Sequence, residues 1–293
     1  MKYLLILLIF TISLFAEVKK LEFISTYGIT TEGNLFSKFK DAKIVLKSWL
    51  NDMGKIHGGQ LDIKYYPNGE LLFEAFKEDK FDMIAIDLPF FFKNRTEIED
   101  VSNDTWTLSI NEKKFNQYYL IGNKSNKLGG FSDLKAKSIS LKEGDTSSWI
   151  WLDKNSYKTN MKASDKLLKK IQYEKKEKSV ILNVFFKKSN YGIVTKEVWD
   201  LMLDFNPGIK SKVEILSKSK NIFLPFIGFF SEKSSLKSRE AFFMVSKDLN
   251  KVKGGEQIIE IMKFNSIYKL DNASLVELDN YYNEYFKLKK KYR

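Results

Sequence analysis

The chain of 293 residues has no cysteine, a single histidine and only four prolines. Without cysteine it can form neither a disulfide framework nor a thiolate metal site. Metal and nucleophile chemistry usually draws on histidine and cysteine, and the sequence also lacks the zinc-protease, nucleophile-elbow and P-loop motifs. We therefore expect no catalytic residue, no metal and no cofactor. A hydrolase that uses Asp87 or a serine is the alternative from the enzyme class.

Long apolar runs are also absent, except for one at the N-terminus. There a lysine precedes the apolar residues 3–15, which Ala16 and Glu17 close. This layout is typical of a secretory signal peptide, because the run is shorter than the roughly 20 residues that a membrane-spanning helix needs. We expect residues 1–16 to be a signal peptide and the protein to be periplasmic. Cleavage of this segment and its retention as an anchor both remain open.

Negative charge is in short supply relative to positive charge. The sequence carries 49 lysines and arginines against 37 acidic residues, a formal net charge of +12. Five of the positive residues crowd the last seven positions, and the other lysines are scattered, which is typical of a solvated surface. Since an exported protein rarely meets nucleic acid, we expect no nucleic-acid partner. The diffuse positive field favours a small anionic ligand instead.

Strand-like and helix-like segments alternate at the start of the mature chain. A helix separates each pair of strands, so this β-α-β-α-β unit predicts an α/β fold with a parallel sheet. The predicted strands are residues 21–27, 61–66 and 81–87. Ligands bind at the carboxyl ends of such strands. These ends carry Tyr27, Asp87 and Pro89, of which Tyr27 can donate its hydroxyl to an oxyanion while its ring packs.

Two apolar stretches, near residues 105–111 and 217–223, are predicted to cross between two sheets. The second crossing is followed by helical patterns, with helix starts at Ser235 and Asp271. Between the crossings we expect strands at 138–141 and 191–195 and helices at 162–172, 179–186 and 196–205.

The segment DLKAKSISLKEGDTSSWIWL, residues 133–152, combines a strand, a tight turn and a helix start. Gly144 allows a sharp reversal of the chain, and the Thr-Ser-Ser run at 146–148 lies where the following helix needs its caps. The first turn of a helix leaves backbone N–H groups unpaired and carries partial positive charge, so it can hold an oxyanion. The hydroxyl run could equally be only a cap. Asp145 could itself cap the helix and repel an anion.

The order of several segments resembles that of a known family. DLKAKSISLKEGDTSSWIWL is followed by EKSVILNVFFKKSNYGIVT, by FNPGI and, after an apolar return, by GGEQIIEIM. This order and spacing are similar to those of the phosphate/phosphite/phosphonate type of periplasmic substrate-binding protein. The resemblance implies a two-lobed α/β fold in which each lobe is a mostly parallel sheet flanked by helices. Two crossover strands would join the lobes, and the ligand would bind in the cleft for delivery to an ABC transporter.

The resemblance also implies a set of ligand-binding residues. Thr146, Ser147 and Ser148 correspond to the oxyanion-binding turn of the family. Ser179 and Asn190 stand near positions where the family has a phosphonate-binding histidine and an acidic residue. Because these differences remove charged contacts, phosphate, a phosphonate, another oxyanion and an unrelated small molecule all remain open as the ligand.

Together these observations predict the organisation of the protein. We expect a first lobe of residues 17–111 with 218–293 and a second lobe of residues 112–217. The expected function is that of an exported, non-enzymatic, monomeric binding protein that closes on a small anionic ligand. Its partner would be an ABC permease, and the alternative partner is a membrane sensor that receives the ligand-bound form.

Overall fold

The computed structural model describes residues 24–30, 42–56, 59–110, 113–248, 256 and 264–293. The predicted signal peptide and most of the segment GGEQIIEIM lie outside these described residues. Within them, no helix is both long enough and apolar enough to cross a membrane. The chain forms two β-sheets flanked by helices, which confirms the predicted α/β class.

The first sheet has six strands. They are β1 (Ile24–Thr30), β2 (Gln60–Tyr66), β3 (Met83–Ile86), β4 (Ser102–Ile110), β10 (Ile227–Ser231) and β11 (Phe264–Lys269). Their order across the sheet is β11-β4-β10-β3-β1-β2. β1 pairs in parallel with β2 and β3, whereas β10 runs antiparallel to β3 and β4, and β11 runs antiparallel to β4.

The second sheet has five strands in the order β7-β6-β8-β5-β9. They are β5 (Tyr118–Asn123), β6 (Ser138–Lys142), β7 (Lys170–Glu174), β8 (Tyr191–Thr195) and β9 (Val213–Lys218). β6 runs parallel to β7 and β8, while β5 runs antiparallel to β8 and β9. Both sheets are therefore mixed and not mostly parallel, because the strands next to the two crossings run against the β-α-β units.

Helices cover both sheets, and several begin at a side-chain cap. They are α1 (Ala42–Ile56), α2 (Gly69–Lys77), α3 (Leu88–Lys93), α4 (Arg95–Val101), α5 (Thr146–Asn160), α6 (Ser164–Leu167), α7 (Glu177–Phe185), α8 (Lys196–Phe205), α9 (Ile209–Lys212), α10 (Leu236–Val245) and α11 (Asn272–Tyr292). The Ser235 hydroxyl accepts from the Ser238 amide at 3.1 Å, and Asp271 accepts from the Ser274 amide at 2.7 Å. The two predicted helix starts at Ser235 and Asp271 are confirmed.

Two predictions of helix are wrong. Residues 162–172 contain only the short helix α6 and the beginning of β7, and β11 occupies a stretch that was expected to be helical. Both strands lie at the edge of a sheet. None of the five β7 side chains is buried, so this strand lacks the apolar alternation that marks a strand in a sequence. Its pairing with β6 decides its conformation.

The chain passes between the sheets twice, through residues 111–117 and 219–226. In the described parts of these passages, the Asn116 amide donates to the Phe223 carbonyl at 2.7 Å, and the reverse bond is 3.3 Å. The Phe223 ring is buried against that of Tyr118, with 5.0 Å between the ring centroids. The chain thus passes between the sheets twice, as predicted, but residues 105–110 belong to β4 and the first passage lies after them. The two passages are paired with each other. The division of the chain into two lobes stays a prediction.

The C-terminal helix α11 packs against helices from both sheets. The Tyr282 ring stacks on Phe92 of α3, with 4.9 Å between centroids and 10° between the planes. The Tyr285 ring lies 6.4 Å from that of Tyr157 on α5, and the Tyr285 hydroxyl donates to Asp153 at 3.3 Å. Because α3 follows a strand of the first sheet and α5 follows a strand of the second, α11 links the two halves of the molecule.

A buried lysine holds α11 against α5. The Lys154 side chain is 5% exposed, and its Nζ atom lies 2.8 Å from a Glu284 carboxylate oxygen. The same Nζ donates to the Tyr281 carbonyl oxygen at 2.9 Å and lies 3.5 Å from the centre of the Tyr281 ring. Burial lowers the pKa of Lys154, and the hydrogen bond to Glu284 opposes that shift. Since a buried ammonium needs a counter-charge, this contact fixes the position of the helix.

We predict that Glu284→Gln destabilises the protein more than Glu277→Gln does. Glu284 is the counter-charge of the buried Lys154, whereas Glu277 pairs with the exposed Lys220. We expect a loss of about 1–3 kcal/mol of unfolding free energy for Glu284→Gln and less than about 1 kcal/mol for the surface pair. Urea denaturation of the two variants measures the difference, and equal losses would contradict the role given to Lys154.

Candidate ligand-binding site

Three helices begin at the carboxyl ends of the parallel strands of the second sheet. β6, β7 and β8 are parallel, so their carboxyl ends lie at the same edge, and α5, α7 and α8 start just after them. The turn after β6 contains Gly144, whose φ of 73° lies in the left-handed region that favours glycine. The predicted strand, turn and helix start are confirmed. They stand where the parallel-sheet rule places ligands.

Asp145 closes the start of α5. Its Oδ1 atom accepts hydrogen bonds from the Ser148 amide at 3.1 Å and from the Tyr118 hydroxyl at 2.9 Å. The Ser148 hydroxyl donates to the Asp145 carbonyl oxygen at 2.9 Å, and the Trp149 amide donates to the same carbonyl. The structure therefore shows the alternative in which Asp145 caps the helix. Ser148 takes part in that cap.

Two members of the hydroxyl run remain outside the cap. Thr146 is exposed, and Ser147 is 5% exposed. Their amides precede the first intrahelical hydrogen bond, so the helix itself offers them no acceptor. The Ser147 hydroxyl faces that of Tyr282 on α11. The Ser148 amide and hydroxyl are therefore engaged in the cap, and contact of Thr146, Ser147 and Ser148 with a ligand stays a prediction.

Two more charged groups lie close to Asp145. Glu177, in the first turn of α7, accepts a hydrogen bond from the Thr195 amide, and Lys142 at the end of β6 is buried. Burial raises the pKa values of Asp145 and Glu177, and the positive charge of Lys142 opposes both shifts. Among the described residues, no cluster of histidine and acidic side chains could hold a metal ion. This end of the sheet therefore holds two buried carboxyl groups, those of Asp145 and Glu177, and the ammonium group of Lys142.

The first sheet contributes a second helix start. Asp87 follows β3 and caps α3, since its Oδ1 atom accepts from the Phe90 amide at 2.9 Å, and Pro89 stands in the first turn of the helix. Burial raises the pKa of Asp87, and the negative charge of Glu70 adds to the shift. The Phe90 ring covers Gly69, where a Cβ atom would lie 2.8 Å from the ring. The predicted corner at Asp87 and Pro89 is thus a capped helix start like that of α5.

Tyr282 of α11 lies between these two helix starts. Its side chain is 0% exposed, and its hydroxyl faces Ser147 without the geometry of a formed hydrogen bond. Burial raises the pKa of Tyr282, and the negative charges of Asp87 and Asp145 both add to this. Asp87 follows the first sheet and Asp145 follows the second. The two halves of the candidate site therefore meet at Tyr282.

Tyr27 is placed differently from the prediction. β1 extends from Ile24 to Thr30, three residues later than predicted, so Tyr27 lies within the strand and not at its carboxyl end. Its side chain is buried in the apolar cluster that includes residues of α1 and α10, with 6.1 Å between its ring centroid and that of Trp106. The prediction that Tyr27 ends the strand is wrong, and its surroundings are those of a core residue.

Asn190 and Ser179 lie at opposite edges of the second sheet. The Asn190 Oδ1 atom accepts from the Ser138 amide at 2.9 Å and from the Ser138 hydroxyl at 3.0 Å. Ser138 begins β6, so about 13 Å of strand separates Asn190 from the edge that carries Asp145. Asn190 therefore links two strands at the end of the sheet away from Asp145, and its contact with a ligand stays a prediction. Ser179 is half-buried in the first turn of α7, at the same edge as Asp145, and its contact with a ligand stays a prediction.

Comparison with known proteins gives matches at the level of structure. No family model and no curated protein matches the sequence. The binding protein component of an ABC phosphonate transporter from Pseudomonas aeruginosa matches with a TM-score of 0.59 at 13% identity, over 91% of this chain and 87% of that chain. PhnD1 from Prochlorococcus marinus, solved in complex with methylphosphonate, matches with a TM-score of 0.57 at 16% identity, over 89% of this chain and 98% of that chain. The periplasmic aliphatic sulphonate binding protein SsuA from Escherichia coli matches with a TM-score of 0.53 at 10% identity, over 91% of this chain and 88% of that chain.

This chain has the fold of the two-lobed periplasmic binding proteins. The resemblance inferred from the order of sequence segments is confirmed at the level of fold, since these matches span nearly the whole of both chains. Two of the three similar proteins are described as binding proteins, and none of the three is described as an enzyme.

Four residues of the candidate site were not predicted. Tyr118, Lys142 and Glu177 surround Asp145, and Tyr282 joins the two helix starts. Tyr282 belongs to the apolar stripe of the last helix, where aromatic residues usually serve packing. Its hydroxyl was the one signal that could have found it, because a buried tyrosine hydroxyl usually has a hydrogen-bond partner. The other three have no distinctive spacing in the sequence.

We predict that Asp145→Asn and Asp145→Ala differ strongly in stability. Asn keeps an oxygen that accepts from Ser148 and Tyr118, and it removes a desolvated charge, so we expect a change within about 1 kcal/mol at neutral pH. Ala removes the cap and leaves the buried Tyr118 hydroxyl without its acceptor, which should cost about 2–4 kcal/mol. Chemical denaturation measures both values, and equal losses would contradict the capping geometry.

The same pair of variants tests the raised pKa of Asp145. The pKa of Asp145 in the native state is raised above the usual value of 3.8. At pH values between 3.8 and this raised pKa, the native state therefore keeps a proton that the unfolded chain has released. The unfolding free energy should therefore fall as the pH rises from about 4 through the raised pKa, and this contribution should be constant above it. In Asp145→Asn that part of the pH profile should be flatter, and an unchanged profile would contradict the shift.

Proposed function

We propose that this protein is an exported solute-binding protein that closes on a small ligand with an oxyanion group and delivers it to an ABC permease. The observation that carries the proposal is the meeting of two capped helix starts, one from each sheet, in this two-lobed fold. A similar structure is described as the binding component of an ABC phosphonate transporter, and others are named for methylphosphonate and aliphatic sulphonate. These ligands share the oxyanion chemistry that a helix start recognises.

The start of α5 supplies suitable donors for such a group. An oxyanion there would accept from the amides of Thr146 and Ser147 and from the Ser147 hydroxyl, and it would meet the positive end of a 15-residue helix. Asp145 opposes an anion, and burial raises the pKa of this carboxyl above its usual value. Lys142 adds a positive charge beside the same carboxyl. This balance favours a singly charged oxyanion over a doubly charged one.

Closure of the cleft would bring the two helix starts onto the ligand. We assign residues 17–111 with 218–293 to one lobe and residues 112–217 to the other. The paired passages at Asn116 and Phe223 are the natural hinge, because in the described part of the chain they are the segments that lead from one sheet to the other. A ligand that contacts both lobes only in the closed state shifts the population toward that state.

The location and the partner follow from the same proposal. The N-terminal apolar run supports export, and one similar protein is described as periplasmic. The permease partner is supported by the similar protein described as a transporter component. A monomer is sufficient for binding, since both helix starts belong to one chain.

Two candidate residues of a hydrolase, Asp87 and Ser148, are engaged in structural contacts. Asp87 accepts from the Phe90 amide, and the Ser148 hydroxyl donates to the Asp145 carbonyl. A general base or a nucleophile needs a group that is available to the substrate. Binding without catalysis therefore fits these residues better.

We predict that Ser147→Ala and Ser148→Ala separate binding from stability. A thermal-shift screen with phosphate, phosphite, methylphosphonate, sulfate and methanesulfonate first identifies a ligand, which at 100 times its Kd adds about 2.7 kcal/mol of stability. Ser147→Ala should then weaken binding by about 1–3 kcal/mol, as expected for a lost hydrogen bond to a charged group. Ser148→Ala should cost about 1 kcal/mol of unfolding free energy and leave the affinity unchanged.

Two results would count against the proposal. If none of the five oxyanions raises the melting temperature, the proposed class of ligand is wrong. If a ligand is found and Ser147→Ala binds it as tightly as the wild type, the turn at residues 146–148 is only a helix cap.

A further inference from the structure

We propose that the hydroxyl of Tyr282, on the C-terminal helix, contacts the ligand as a hydrogen-bond donor to the oxyanion at the start of α5. This inference rests on the proposed function. It adds a third element to a site that is otherwise built at the edges of the two sheets.

The first support is that this hydroxyl is buried without an acceptor. Tyr282 is 0% exposed, and among the described residues its hydroxyl has no hydrogen-bond partner of good geometry. The Ser147 hydroxyl interacts with it as a donor, since this interaction lowers the pKa of Tyr282, so the proton of Tyr282 still lacks an acceptor. Buried polar groups are nearly always satisfied, so an exception calls for an explanation. A ligand oxygen beside Ser147 would accept from Tyr282 and remove the cost of leaving it unpaired.

The second support is that aromatic contacts on several sides hold the ring in one position. The Tyr282 ring stacks on that of Phe92. The distance from its centroid to the ring centroid is 4.9 Å for Phe92, 5.6 Å for Tyr281 and 6.2 Å for Phe286. Rotation of the ring about its long axis does not move the hydroxyl oxygen. The donor is therefore fixed, and binding pays little to order it.

The third support is the position of Tyr282 between the two helix starts. The carboxyls of Asp87 and Asp145 are near enough to raise its pKa further, but they accept from Phe90 and Ser148 and not from Tyr282. A tyrosine hydroxyl keeps its proton at neutral pH, so it is a donor there. An oxyanion at the amides of Thr146 and Ser147 would be its natural acceptor.

Calorimetric titration of Tyr282→Phe tests the proposal. The probes are inorganic phosphate and methylphosphonate, measured against the wild type under the same conditions. We expect affinity for the bound probe to fall about 10- to 100-fold, as for a lost hydrogen bond to a charged group. The melting temperature of the ligand-free variant should be unchanged or higher, because Phe keeps the stacking and removes a buried hydroxyl that has no partner.

The matched control is Tyr285→Phe. Tyr285 lies one turn later on the same helix, and its hydroxyl donates to Asp153 at 3.3 Å. This variant should have a lower melting temperature and wild-type affinity, which is the opposite of the result expected for Tyr282→Phe.

The outcomes separate this inference from the proposed function. If the wild type binds a probe and Tyr282→Phe binds it equally well, the hydroxyl is not a ligand contact and the inference is overturned alone. A lower melting temperature with unchanged affinity would show that the hydroxyl only supports Ser147. If the wild type binds one of the other oxyanions of the thermal-shift screen, that oxyanion replaces these two probes. If it binds none of the five, the oxyanion class of the proposed function fails, and this inference fails with it.

Discussion

The contact between the Lys154 ammonium and the C-terminal helix is the interaction on which the arrangement of the two sheets depends. Lys154 is buried on α5, and the helix supplies both its counter-charge, Glu284, and a carbonyl acceptor. One face of the same helix stacks Tyr282 on Phe92 of α3. Separating the helix from α5 would leave a desolvated charge unpaired, which is costly. In the arrangement described here the helix bridges α3 and α5, and it brings Tyr282 close to both.

The charged groups of the candidate site are buried, and their removal from water opposes folding. Asp145 and Glu177 are desolvated carboxyls at one edge of the sheet, each shifted toward its neutral form, with Lys142 as the nearby positive charge. Groups with shifted pKa values occur more often at functional sites than elsewhere, and here they lie at the carboxyl ends of parallel strands. The same carboxyls restrict what can bind. A ligand must satisfy the donors of Ser147 and Tyr282 without bringing a high negative charge close to Asp145.

Local patterns predicted a large part of the fold and less of the site. The strand at 191–195 and the helix that follows it match β8 and α8, because apolar period and the Thr195 cap are both local signals. The edge strands β7 and β11 were missed because pairing with a distant strand defines them. The turn before α5 was predicted from Gly144 and its hydroxyls. The hydrogen bond between Asp145 and Tyr118 depends on the fold of the second sheet. The position of Tyr282 depends on the packing of a helix that lies far along the chain.

The central claim is that an oxyanion binds between the two helix starts. Crystals grown with arsenate test it most directly, because the anomalous scattering of arsenic marks the position of the anion without reference to any assumed contact. The account predicts a single strong anomalous peak within hydrogen-bond distance of Ser147 and Tyr282, on the side of Asp87. A strong peak elsewhere, for example among surface lysines, or crystals at saturating arsenate with no peak at this position, would contradict it.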